Sequence, residues 1–236
     1  MDRAPGDMKT VRITEDVYAY LLAQTDPPTP VQARLTERTR GLGGPSVMQV
    51  PHEQARFLTL LALLTGARRI VEVGTFTGYS TLALAEGLAP GGRVLTCDIS
   101  PEWTSIAREA WVEAGVADRI DLRIAPALET LRGLPPDQEI DLVFLDADKA
   151  GYRAYWDELV PRVRPGGLLL ADNTLFGGDA ARPDAGGNAL AIREFNAHVR
   201  ADRRVESVLL PVADGLTFAR KRRPLGLPQG AYGGHP

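Results

Sequence analysis

The chain has 236 residues, 44% hydrophobic and 24% charged, with a formal net charge of −3. That suffices for one sizeable core and excludes a global electrostatic pull toward nucleic acid or an anionic membrane. A single cysteine, Cys97, excludes an intrachain disulfide and any Cys-rich zinc site, and fits a reducing, cytoplasmic setting.

In chain order, Thr14-Glu15-Asp16 reads as a helix start, and the DPPTP break ends that helix. A more polar helix is expected over about 31–40, then a linker, GLGGPSVMQVP. HEQARFLTLLALLTG reads as an amphipathic helix closed by Gly66. Its apolar block, residues 57–64, is far too short to span a membrane, and no secretory leader is read in the first 20 residues.

From there strands and helices alternate. RIVEVG, RVLTCDI, RIDLRIA, IDLVFLDA and GLLLADN read as strands; YSTLALAEGL, EWTSIAREAWVEAG, PALETLRGL and YRAYWDELVPRV read as the helices between them. This pattern predicts a parallel sheet covered on both faces. A further helix, ALAIREFNAHVRAD, precedes RVESVLLPVADGLTFARKR, two strands joined by a tight Ala-Asp-Gly turn. That connection is too short for a parallel crossover, so the pair is antiparallel. The Gly- and Pro-rich tail from 223 to 236 is expected to be disordered.

Two places carry chemistry. In VEVGTFTGYS, Gly74 and Gly78 punctuate a strand-to-helix turn that lacks both the G-x-G-x-x-G spacing and a Walker lysine. Glu72 precedes the glycines, which suits a cationic ligand better than a pyrophosphate. Asp98 ends the next strand, where such folds bind ribose hydroxyls. In VFLDADK and LLLADN, apolar strands end in Asp146 and in Asp172-Asn173. Either end alone reads better as a turn start or a cap. At adjacent tips of a parallel sheet, two carboxylates and an amide form an all-oxygen set suited to Mg²⁺, Mn²⁺ or Ca²⁺ rather than zinc.

VEVGTFTGYS with CDI, VFLDADK, ADNTLF and LPVADGLTF, in this order, resemble the cation-dependent S-adenosylmethionine O-methyltransferases. That group contains caffeoyl-coenzyme A O-methyltransferase and, more distantly, catechol O-methyltransferase. The resemblance runs from about Lys9 to Lys221 and implies a Rossmann-like, seven-stranded, mostly parallel α/β sheet with its last strand antiparallel and helices on both faces. It implies S-adenosylmethionine contacts at Val50, Glu72, Gly74, Thr75, Ser80, Asp98, Ala127 and Asp148. It further implies a divalent cation, Mg²⁺ above others, on Asp146, Asp172 and Asn173, and Lys149 as the base, with Asp146 sharing the catalytic role. Lys9 matches a plant lysine near the coenzyme A ester. Gly177 stands where plant relatives carry a substrate-contacting asparagine.

The expected organisation is an N-terminal helical segment, residues 1–45, serving as substrate cover and dimer contact, then a methyltransferase domain over 46–222. The expected activity is metal-dependent methylation of one hydroxyl of a small aromatic vicinal diol in secondary metabolism, by a homodimer with no membrane partner. The competing reading is a hydroxyuridine O-methyltransferase of transfer RNA, which the acidic balance disfavours. Tyr152 and Tyr155 are expected to be core or cleft wall, Phe176 a wall or core residue, and His52, His198 and His235 bystanders. The loop over 176–188 is either a lid or plain surface.

Overall fold

The computed structural model describes residues 11–135 and 139–223. The expectations for Lys9, His235 and nearly all of the C-terminal tail lie outside them.

Three helices precede the sheet: α1 (Glu15–Ala23), α2 (Pro30–Arg40) and α3 (His52–Thr65). Thr14 caps α1 by accepting from the Val17 N–H. Thr29 and Gln32 form a reciprocal capping box on α2, with Pro30 at its first turn. The segment expected to be a plain linker holds a 3-10 turn, Gly44–Met48.

The alternating region then gives β1 (Arg69–Val73), α4 (Tyr79–Glu86), β2 (Arg93–Asp98), α5 (Pro101–Glu113), β3 (Ile120–Ile124), α6 (Ala127–Arg132), β4 (Ile140–Leu145), α7 (Tyr152–Leu159) and β5 (Val163–Ala171). Strand β5 begins several residues before the apolar run, carrying Arg164-Pro165-Gly166-Gly167 into the sheet. After α8 (Gly187–Ala201) come β6 (Val205–Leu210) and β7 (Leu216–Lys221).

The strand order is β3-β2-β1-β4-β5-β7-β6. Strands β1 to β5 pair in parallel, and β7 lies antiparallel between β5 and β6, as its short turn requires. Side-chain alternation divides the core in two. Ile70, Leu142, Phe144, Leu168 and Leu170 pack with α3, α4 and α5; Val71, Val73, Val143, Leu145, Leu169 and Ala171 pack with α6, α7 and α8.

The register decides where the chemistry sits. Val73 is level with Cys97 and Leu145, and Leu145 with Ala171. The next residue on each strand therefore falls on one edge: Gly74, Asp98, Asp146 and Asp172. Among the described residues no helix is long and apolar enough to cross a membrane.

Candidate active site

A cleft of about 770 Å³ opens at that carboxyl edge. Eleven of the twelve residues named from the sequence line it: Val50, Gly74, Thr75, Ser80, Asp98, Ala127, Asp146, Asp148, Lys149, Asp172 and Asn173. Glu72 is the exception. It is fully buried beneath the glycine turn and does not reach the cleft wall.

Glu72 works at one remove. One carboxylate oxygen accepts from the Thr81 hydroxyl and from Thr96 Oγ1 at 2.7 Å, and Thr96 Oγ1 in turn bonds Thr75 Oγ1 at 2.6 Å. The other oxygen, Oε1, has no partner. Burial pushes its carboxyl up to about 7, against the hydroxyl donors.

Gly74 has φ +99°, and a Cβ there would lie 1.9 Å from the Asp146 carbonyl oxygen, so only glycine lets β1 and β4 meet this closely. At the end of β2, Asp98 closes the turn. Its Oδ2 accepts from the backbone N–H of Thr75 at 3.0 Å and of Phe76 at 2.7 Å, and its Oδ1 from that of Ser100 at 2.8 Å. Phe76 is thereby held at φ +50°, its ring edge-on to Trp103. The Gly74 and Thr75 N–H groups are committed, to Cys97 and Asp98 respectively.

The oxygen cluster sits at the tips of β4 and β5. Asn173 adopts φ +54°, which its short amide tolerates and which turns the chain out of the sheet. Asp172 is 3% exposed, and its Oδ1 accepts from the Asn173 N–H at 2.7 Å. Burial, and then the charge of Asp146, push the Asp172 carboxyl up to about 7; burial also raises Asp146, against the pull of Lys149. Among the described residues the Lys149 ammonium supplies the only lysine or arginine charge on the cleft wall. Its Nζ donates to Asp146 Oδ1 at 3.3 Å, Asn173 Oδ1 at 2.6 Å and the Tyr152 hydroxyl at 2.8 Å.

Two carboxylates and an amide oxygen at adjacent tips fit a hard divalent cation. Among the described residues no group of three or more His, Cys, Asp and Glu side chains is placed to hold a metal. A cation here therefore needs Asn173 as its third protein donor and competes with Lys149 for the Asp146 and Asn173 oxygens.

Several contributors had no clear mark in the sequence. Tyr152 is fully buried, and its hydroxyl donates to backbone carbonyls at the tips of β4 and β5 while receiving Lys149. Tyr155 donates to Asp148 Oδ1 at 2.6 Å and so holds that carboxylate at the rim. Both are wall or core residues, as expected, and both also orient site residues. His52 bridges the Tyr79 hydroxyl, 2.9 Å from Nδ1, and the Asp26 carbonyl, 2.7 Å from Nε2. Tyr79 itself lines the cleft, its phenol pushed up to about 12 by burial. His198 pairs with Asp157 on the surface, away from the cleft. Val47 and Met48, from the supposed linker, and Phe176 also line the cleft.

The strand order, reversed last strand and cleft at the carboxyl edge define a Rossmann-like methyltransferase fold. An O-methyltransferase family model matches residues 26–222. "Probable caffeoyl-CoA O-methyltransferase 2" of Dictyostelium discoideum is 37% identical over 216 residues, covering 89% of this chain and 94% of its own. "Catechol O-methyltransferase domain-containing protein 1" of Mus musculus is 40% identical over 173 residues, 72% of this chain and 66% of its own. Among solved structures, the O-methyltransferase from Bacillus cereus in complex with SAH superposes with a TM-score of 0.81 at 30% identity, covering 88% of this chain and 97% of that one. The chain belongs to the O-methyltransferase family and is an S-adenosylmethionine-dependent O-methyltransferase.

Proposed function

We propose that this enzyme methylates one hydroxyl of a small aromatic vicinal diol and depends on a divalent cation, Mg²⁺ above others, held by Asp146, Asp172 and Asn173. The observation that carries the reading is the convergence of two acids and an amide on neighbouring strand tips, in the same cleft as the Asp98 turn. The relatives' names, a probable caffeoyl-CoA O-methyltransferase and a catechol O-methyltransferase domain-containing protein, agree with a phenolic acceptor. Among the described residues the cleft wall carries five carboxylates (Asp98, Asp146, Asp148, Asp172 and Asp214) against one ammonium, Lys149, which disfavours a polyanion such as transfer RNA.

In this reading Asp98 uses its remaining lone pairs to accept from the ribose hydroxyls of S-adenosylmethionine. Gly74, Thr75 and Ser80 shape the wall beside it, Glu72 braces that wall from behind, and Val50, Ala127 and Asp148 line the rest of the cofactor's path. When bound, a divalent cation would supply the charge that makes a nearby hydroxyl acidic. Lys149 Nζ takes the hydroxyl proton, with Tyr152 fixing the amine's direction. The walls from Met48 and Phe176 hold the ring so that the phenolate faces the sulfonium methyl. The exposed face of α3, with Leu60, Leu63 and Leu64 at 48%, 56% and 81% exposure, supports a homodimer.

The test is turnover of a catechol against metal concentration. Chelator should silence the wild type and Mg²⁺ restore it. Asp172→Ala should nearly abolish turnover with S-adenosylmethionine binding kept, and Asn173→Ala should be milder. Full activity of exhaustively chelated enzyme would refute the cation dependence.

A further inference from the structure

The first turn of α3 carries a polar side chain that the proposed chemistry leaves unused. Gln54 is 0% exposed and lines the cleft, yet neither its Oε1 nor its Nε2 has a hydrogen-bond partner. A buried amide with both ends unmatched destabilises the fold, and an apolar side chain of the same volume would not. The arrangement makes physical sense if the partners arrive with ligands.

The first of those partners is already in view. Gln54 and Asp172 line the same cleft, and the Gln54 amide has no completed hydrogen bond to that carboxylate. The carboxylate's Oδ1 is taken by the Asn173 N–H; among the described residues nothing is bonded to Oδ2. A glutamate at this position would add a third buried carboxylate beside Asp146 and Asp172. A leucine would offer neither donor nor acceptor. The amide offers both without charge.

We propose that Gln54 is a positioning residue of the cation site. Its Nε2–H donates to Asp172 as that carboxylate turns onto the cation, and its Oε1 accepts from an O–H in the cleft, contributed by water or by bound substrate. Outer-shell partners of this kind fix the direction of a ligating carboxylate. The inference rests on the reading of Asp146, Asp172 and Asn173 as cation ligands.

The experiment compares wild type with Gln54→Met and Gln54→Leu, both apolar and near in volume. Mn²⁺ affinity is read from the paramagnetic resonance signal of free Mn²⁺, S-adenosylmethionine affinity by calorimetry, and stability from the melting temperature of metal-free protein. The expected result is a loss of Mn²⁺ affinity of about 10- to 100-fold in the variants. Their cofactor affinity should be unchanged, and the metal-free protein should melt no lower than wild type. Wild type that binds Mn²⁺ no more tightly than the variants overturns the role of Gln54 alone. Wild type that binds no Mn²⁺ overturns the cation site and this role with it. A parallel fall in Mn²⁺ affinity, cofactor affinity and melting temperature is general loosening and also overturns it. Should one variant not fold, the other decides.

Discussion

Replacing Asp98 with alanine tests the turn and the cofactor site together. The carboxylate takes three backbone N–H groups, from Thr75, Phe76 and Ser100. Hydrogen bonds to a charged acceptor contribute roughly 1.5–3 kcal/mol each. Asp98 is half-buried, so water recovers part of that loss. Phe76 offsets part of it too, because a non-glycine residue in the left-handed region costs about 1–2 kcal/mol and loss of the Asp98 contact frees it to relax. The net expectation is a destabilisation on the order of 2–4 kcal/mol, or a fall in melting temperature of roughly 5–15 °C for a domain of this size. Loss of one charged acceptor at the ribose should weaken S-adenosylmethionine about 10- to 150-fold. Thermal melts and titration calorimetry read the two effects separately. Asp98→Asn divides them further, since it keeps one acceptor oxygen for the turn and loses the charge; its melting loss should be smaller while most of the affinity loss persists. An alanine variant melting within a degree of wild type would refute the account of the turn, and unchanged affinity would remove Asp98 from the ribose.

Gly74→Ala should unfold the cleft edge, since the new Cβ meets the Asp146 carbonyl oxygen at 1.9 Å on a backbone at φ +99°; a urea midpoint equal to wild type would contradict the close approach of β1 and β4. Glu72→Gln should show a pH signature. The folded carboxyl sits at about 7 against an ordinary 4.5, so its protonated form contributes stability below about 4.5 that is lost as pH rises through about 7. The glutamine variant should therefore gain on wild type between pH 5 and pH 8 in paired urea melts, and a constant difference would mean the group does not titrate there. Finally, a monophenol should turn over far more slowly than the matched catechol, and equal kcat/KM would sink the vicinal-diol reading.

The order of strands and helices was legible because each carries its own local signal: apolar alternation, a cap at Thr14, a glycine where β1 turns into α4. The antiparallel end followed from the shortness of the Ala-Asp-Gly turn alone. The strand-tip acids were legible for a related reason. An apolar run that ends in Asp146 or Asp172 has to deliver that side chain to an edge, and parallel pairing puts those edges together. What the sequence could not supply is anything decided between elements distant along the chain. Glu72 has the same spacing whether it faces the cleft or lies beneath it, and only the packing of α4 and β2 around it turns its carboxylate to Thr81 and Thr96. The linker before α3 was marked only at Val50, yet the fold brings Val47 and Met48 over the sheet edge as well. Gln54 reads as one more polar position on an amphipathic helix, and Lys149 as a lysine after a strand. It took the docking of α3 against the sheet to bury the first in the wall of the cleft, and the bend of Asn173 out of β5 to bring its amide oxygen to the second.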